Sequence, residues 1–194
     1  MPFVLTVDQR GSRRSADRVP AALALLNGVP TLLSFERTAG DEFQGVLDDP
    51  VVVIDVVRRL VRDGEWSIGI GAGPVQTPLP RSTRAGAGPA FIAARAAVDA
   101  AKRRPVRVAV RGAAADAAGD AQAVLTAIAA LIERRSDQAW QAIALVEDGR
   151  TQAEAATELG VTRQAVGQRL SAGLWEVERD LRPVAVRLLA EAAA

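Results

Sequence analysis

Two groups of residues in this chain have the types and spacing to do chemistry. The first is Thr151–Leu170, TQAEAATELGVTRQAVGQRL. Arg163, Gln164, Gln168 and Arg169 share the free side of an expected helix whose inward side is Val166 and Leu170. Arginine pairs with O6 and N7 of guanine, and glutamine with N6 and N7 of adenine, so such a face can read base edges. Thr151 and Gln152 open the preceding helix, where a hydroxyl, an amide and free N–H groups can hold a phosphate. Gly160 permits a left-handed turn, and Ala156, four residues earlier, lets two helices cross closely. Leu159 and Val161 fill the angle between them, and Thr162 suits the N-cap of the second helix. These are the requirements of a helix-turn-helix. The alternative is a plain helical hairpin with a polar face. Arg163–Ala172 holds two arginines and no acid, which favours the DNA-reading version.

The second group is Asp8, at the end of an expected strand, and Asp41, which follows Gly40 at a hairpin tip. Adjacent strand ends can bring two carboxylates to one metal ion. A Gly11-Ser12 turn presents backbone N–H groups to phosphate. Together they suit Mg²⁺ with a nucleotide, the bland alternative being two acids facing water. Arg10, Arg13, Arg14 and Arg18 form a basic patch that suits the phosphates of a nucleotide or of DNA, or simply a solvated helix face. Lys102, Arg103 and Arg104 end a helix, where cations complement its dipole.

Composition narrows the chemistry further. The 194 residues include no Cys, His or Tyr, which excludes disulfides, Cys/His zinc sites, thiol nucleophiles and imidazole proton shuttles. Only oxygen-liganded ions remain. Residues 1–111 carry 16 basic and 11 acidic groups and residues 112–194 carry 8 and 12, so the halves are +5 and −4. No signal peptide is evident, and no apolar run is read as reaching the roughly 18 residues of a membrane span. The expectation is a cytoplasmic protein with no membrane partner.

The elements that must position these residues alternate over the first half. Strands are expected at Phe3–Asp8, Thr31–Arg37, Phe43–Leu47, Trp66–Gly71 and Val106–Val110, and helices at Arg18–Leu26, Pro50–Arg62 and Ala90–Arg103. The order β-α-β-β-α-β-α-β suits a mostly antiparallel sheet with helices on one face. Residues 112–122, all small or polar, read as a linker between a domain at 1–111 and a helical domain at 123–194. Five helices are expected in the latter: Ala123–Arg134, Asp137–Glu147, Gln152–Leu159, Arg163–Ala172 and Leu174–Leu189. Trp140 and Ile143 should face inward, and Pro183 should kink or break the last helix. Leu174, Val177, Leu181, Val184 and Leu188 make that helix a dimer element or a cover for the core.

Four short motifs give this layout a family likeness. DQRGS at 8–12, RTAGDEF at 37–43, SIGIGAG at 67–73 and GPAFIAARAA at 88–97 occur in the order seen in class III nucleotidyl cyclases, and AGDEF resembles the GGDEF signature of diguanylate cyclases. The whole chain looks most like the SatD family, which shares the GDEFQG and GPA elements. Residues 151–170 resemble the helix-turn-helix of sigma-factor region 4 and MarR-type regulators. The resemblance implies an α+β fold, with a ferredoxin-like palm domain followed by an all-α helix-turn-helix domain. It also implies metal binding by Asp8, Asp41 and the carbonyl of Gln9, phosphate binding by the N–H groups of Arg10–Ser12, and a charge-stabilising role for Arg95. Two positions depart from the cyclase pattern. Phe91 stands where an asparagine orients the ribose, and Arg37 where a lysine or glutamate selects the base. Losing a transition-state contact of that type costs about 10²–10³ in rate.

The expectation is therefore a dimeric, sequence-specific DNA-binding transcriptional regulator of an inverted repeat, with a palm that binds a nucleotide or is purely structural. The alternative is a divalent-metal nucleotidyl cyclase or related phosphotransferase dimerised by its helices. In a third reading both halves are interaction modules.

Overall fold

The computed structural model describes residues 1–194. Its first part is β1 (Phe3–Gln9), α1 (Val19–Leu25), β2 (Leu33–Ala39), β3 (Glu42–Leu47), α2 (Pro50–Asp63), β4 (Trp66–Ala72), α3 (Pro89–Ala101) and β5 (Val108–Gly112). Five helices follow: α4 (Ala115–Glu133), α5 (Asp137–Glu147), α6 (Gln152–Leu159), α7 (Arg163–Ala172) and α8 (Trp175–Ala193). The chain is α+β, as its alternating and helical halves imply.

The strands form one sheet in the order β2-β3-β1-β4-β5. β1 lies between β3 and β4, antiparallel to both, while β4 and β5 run parallel. Alternation along each strand sorts the two faces. Phe3, Leu5 and Val7 of β1, Phe43 and Leu47 of β3, Ile68 and Ile70 of β4 and Val108 and Val110 of β5 build the main core with α1, α2, α4 and α8. α2 earns its place by sequence: Asp49 caps it by accepting from Val51 N–H at 2.8 Å, and Val53, Val56, Val57 and Leu60 form its buried stripe.

Helices cover both faces, not one. α3 lies on the other side, above Val4, Val46 and Ala109. Its packing depends on missing side chains. A Cβ at Gly69 would collide with the Val98 backbone nitrogen, and one at Gly71 with the Ala90 carbonyl. Ala90, Ala94, Ala97 and Ala101 present the matching small surface. A face built from glycine and alanine has almost no hydrophobic periodicity, so it does not announce itself as a second core layer.

The segment expected as a linker is largely helix. Residues 115–122 are the first turns of α4, and Ala118 and Ala121 are buried in the main core. Alanine has the highest helix propensity and permits close approach, so a run without large apolar residues still builds a packed helix. α4 is also long and apolar enough to cross a membrane by length and composition, a run that counting strictly apolar residues overlooks. Here its Leu125, Ile128, Ala129 and Ile132 join the sheet core. α8 runs through Pro183 to Ala193, because Ala185, Leu189, Ala192 and Ala193 anchor its far half to the same core. α4 and α8 thus belong to the sheet layers, and a boundary at residue 122 cuts through α4. A smaller cluster, Ala139, Ala142, Ile143, Ala155, Ala156, Val166 and Leu170, holds α5, α6 and α7 together.

Candidate nucleic-acid interface and a polar cleft

α6 and α7 are set by local hydrogen bonding at every end. Thr151 caps α6: its Oγ1 accepts from Glu154 N–H at 3.2 Å while the Glu154 carboxylate accepts from Thr151 N–H at 2.8 Å. Gly160, at φ 64° and ψ 34°, ends α6 in the left-handed region, and Val161 N–H returns to the Ala156 carbonyl at 3.0 Å. Thr162 then caps α7 by accepting from Ala165 N–H at 3.1 Å. Two helices joined by residues 160–162 result, with Val166 and Leu170 of α7 buried against α5.

Anchoring those two residues turns Arg163, Gln164 and Gln168 outward. They line one shallow polar hollow with Gln152, Gly167 and Ser171, and that hollow contains no hydrophobic side chain. None of Gln152, Arg163, Gln164, Gln168 or Arg169 has a hydrogen-bonded or ion-paired side chain within the protein. Arg169 is only partly exposed. The hydroxyls of Thr151 and Thr162, in contrast, are occupied as caps.

The α5–α7 cluster is tied to the sheet layers by charge as well as by packing. The ring of Trp140 in α5 has the guanidinium group of Arg62 from α2 at 4.4 Å and that of Arg135 at 4.8 Å. Glu178 of α8 is fully buried and takes Arg58 Nε of α2 at 2.8 Å, Arg182 Nε at 2.6 Å and Arg135 Nη2 at 3.4 Å. Glu147 of α5 joins through Arg58 at 2.7 Å and through Arg182. Burial by itself would raise the Glu178 carboxyl, but the Arg182 hydrogen bonds and the charges of Arg58, Arg182 and Arg135 outweigh it and hold the group below the usual carboxylate range. Glu147 is lowered for the same reasons, through Arg182 and Arg58. Sequence reasoning missed this cluster. Its signal was an acid on an apolar stripe, since Glu178 falls at helical spacing between Leu174 and Leu181.

At the other end of β1 the structure brings together most of the residues expected to form a nucleotide site. Asp8, Gln9, Arg10, Gly11, Ser12 and Asp41 line one open cleft of about 750 Å³, and no hydrophobic residue lines it. Asp8 pairs with Glu42 across the ladder, and Gln9 N–H donates to the Asp41 carbonyl at 3.0 Å, which holds the hairpin turn carrying Asp41 beside the end of β1. The Gln9 side chain faces inward and staples the following loop: Nε2 donates to Ser15 Oγ and the Ala16 carbonyl, and Oε1 accepts from Arg18 N–H.

Arg37 and Arg95 lie outside the cleft. Arg37 braces the hairpin, donating to the Gly40 carbonyl at 2.8 Å and to Asp17 at 2.5 Å. Arg95 is paired with Glu42 and lies 3.6 Å from Asp99. In their place the cleft takes Ser67, Lys102 and Arg107, none of which motif reasoning had marked for it. Strand alternation was the available signal for Ser67, which pairs with Asp8 on the α3 face of the sheet.

Lys102 also changes the chemistry of the acids. Its Nζ is 2.6 Å from Asp8 Oδ2, and the Asp8 side chain is only 16% exposed. A divalent cation needs carboxylate oxygens for itself, and here one of the two is held by an ammonium. The residues as placed do not suit Mg²⁺. Comparison with protein-family models, with curated proteins and with solved structures gave no match for the chain.

Proposed function

We propose that this chain is a sequence-specific DNA-binding transcriptional regulator that acts as a homodimer in the cytoplasm. In this reading α6 and α7 are a helix-turn-helix, and α7 enters the major groove. The observation that carries it is the outward face of α7, where Arg163, Gln164 and Gln168 stand exposed and unpaired on a helix fixed by Val166 and Leu170. Side chains that read bases must be free of internal partners while their helix is rigid. Two copies would place two such helices about one helical turn, roughly 34 Å, apart on an inverted repeat. Leu174 and Val177, each nearly half exposed beside α7, are the apolar side chains a second copy would cover.

The sheet layers, in the same reading, are a palm-like ferredoxin-type domain that takes a nucleotide in the polar cleft and no longer cyclises it. The strand order of β1 to β4 supports this assignment, as does the gathering of Asp8, Asp41 and the Arg10–Ser12 turn at one cleft. The placement of Arg95 and Lys102 speaks against catalysis. Chromatin pull-down with sequencing tests the DNA half. A shared inverted repeat among the recovered fragments is expected, and recovery of no common sequence would overturn it.

A further inference from the structure

The cleft beside β1 carries more positive than negative charge. Five cationic side chains line it against two carboxylates. The sheet register explains how they meet. On the α3 face, Glu42, Asp8 and Ser67 are successive cross-strand neighbours on β3, β1 and β4, and Arg107 precedes the Ile68–Val108 pair on β5. Lys102, at the end of α3, reaches Asp8, while Arg95 from within that helix pairs with Glu42. Arg107 donates to the Lys102 carbonyl at 2.9 Å, which locks the two cationic residues together.

Two observations point to a ligand. Ser67 is 1% exposed and its Oγ has no hydrogen-bond partner, although the residue lines the cleft. A buried hydroxyl left unpaired costs free energy, and a ligand oxygen would satisfy it. Arg13 and Arg14, across the opening, are exposed and make no ion pair in the protein.

We propose that this cleft binds a chain of two or three phosphates directly, with the Lys102 ammonium standing where a metal-dependent site would place its cation. Ser67 and the backbone of the Gly11–Ser12 turn donate to phosphate oxygens, Lys102 and Arg107 form the floor, and Arg13 and Arg14 close over the outer phosphate. No apolar or aromatic side chain lines the cleft, so a base attached to the phosphates finds nothing here to stack on. The proposal rests on the ligand half of the function proposed above and is independent of its DNA half. It deepens that half by assigning recognition to the phosphates alone, without Mg²⁺.

Calorimetric titration of the full-length chain with inorganic tripolyphosphate, in EDTA and then in excess Mg²⁺, tests it. Binding in EDTA that Mg²⁺ weakens is expected, as is similar affinity for purine and pyrimidine nucleoside triphosphates. Lys102→Met and Arg107→Met should each weaken binding about tenfold, the value of a charge-assisted hydrogen bond. Ser67→Ala should weaken it several-fold without lowering the thermal midpoint of the ligand-free chain, since its hydroxyl bonds to nothing in the protein and is costly while unpaired. Asp8→Asn gives the decisive sign. It frees Lys102 and removes a negative charge, so metal-free binding should strengthen, whereas a metal-ligand role would abolish binding. Binding that needs Mg²⁺, or is lost in Asp8→Asn, overturns the proposal while leaving a metal-nucleotide reading of the cleft standing. No binding of any phosphate compound overturns both, and strong preference for one base overturns the phosphate-only recognition.

Discussion

Replacing Glu178 with glutamine should be the most damaging single-atom change in this protein. Glu178 is fully buried and is the one carboxylate within reach of Arg58, Arg135 and Arg182, whose side chains are 12%, 1% and 24% exposed. Glu147 reaches Arg58 and Arg182 only. In Glu178→Gln, Arg182 therefore keeps Glu147, and Arg58 keeps Glu147 and the more distant Asp55, while Arg135 loses its carboxylate and keeps the Gly173 carbonyl at 2.7 Å and the Trp140 ring. Removing one partner of a buried pair costs about 3–5 kcal/mol, and the surviving Glu147 bonds place this case near the lower end. Against a total of about 5–15 kcal/mol that loss is large. With a urea slope of about 2 kcal/mol/M, the unfolding midpoint should fall by about 1.5 M. Urea titration followed by Trp fluorescence reads it directly, because Trp140 and Trp175 sit in the affected helices. The paired replacement Arg135→Met with Glu178→Leu should recover most of the loss, since a buried ion pair exchanged for apolar side chains is close to neutral. A midpoint shift under about 0.3 M in Glu178→Gln, or a double variant less stable than the single one, would show that the buried carboxylate does not hold these helices together.

Glu147 and Glu178 titrate lower in the folded chain than in the unfolded one, so their stabilising share is complete above the unfolded value of about 4.3 and drains as pH falls below it. Urea midpoints between pH 7 and 3 should drop steeply in the wild type and less in Glu178→Gln; parallel curves would contradict this. Gly69→Ala puts a methyl group against the Val98 backbone and should cost about 1–3 kcal/mol or prevent folding, measured as a fall in Tm. Thr162→Ala removes the cap of α7 and should cost about 1 kcal/mol in urea unfolding, with no loss if the cap is idle.

The sequence revealed most where side chains are large or where a turn needs a particular residue. Pro50 at the start of α2, the Val-rich stripe of that helix, the hairpin at Gly40-Asp41 and the Gly160–Thr162 turn all stand within a residue or two of where their chemistry puts them. Legibility failed where packing uses small residues. The Ala-rich start of α4 and the Gly-Ala contact of β4 with α3 carry no strong apolar period, so a core helix reads as a linker and a two-faced sheet as one-faced. Of the expected nucleotide residues, Asp8 lies on β1, Arg10–Ser12 in the turn that follows it and Asp41 at the tip of the hairpin it pairs with, and sequence order brings them together. Arg95 depends on the pitch of α3 against the sheet, which no motif specifies. Ser67, Lys102 and Arg107 come from three elements, and only the register of β4 with β1 and β5 assembles them.

The proposed reading of DNA bases by α7 can be measured by titration of a labelled duplex carrying the enriched repeat. Arg163→Ala and Gln164→Ala should each weaken specific binding by about 1–3 kcal/mol, roughly 5- to 150-fold, with little change on random duplex and no change in Tm. Each should also relax the preference for one base pair of the repeat. Wild-type affinity and wild-type sequence preference in both variants would mean that α7 does not read bases.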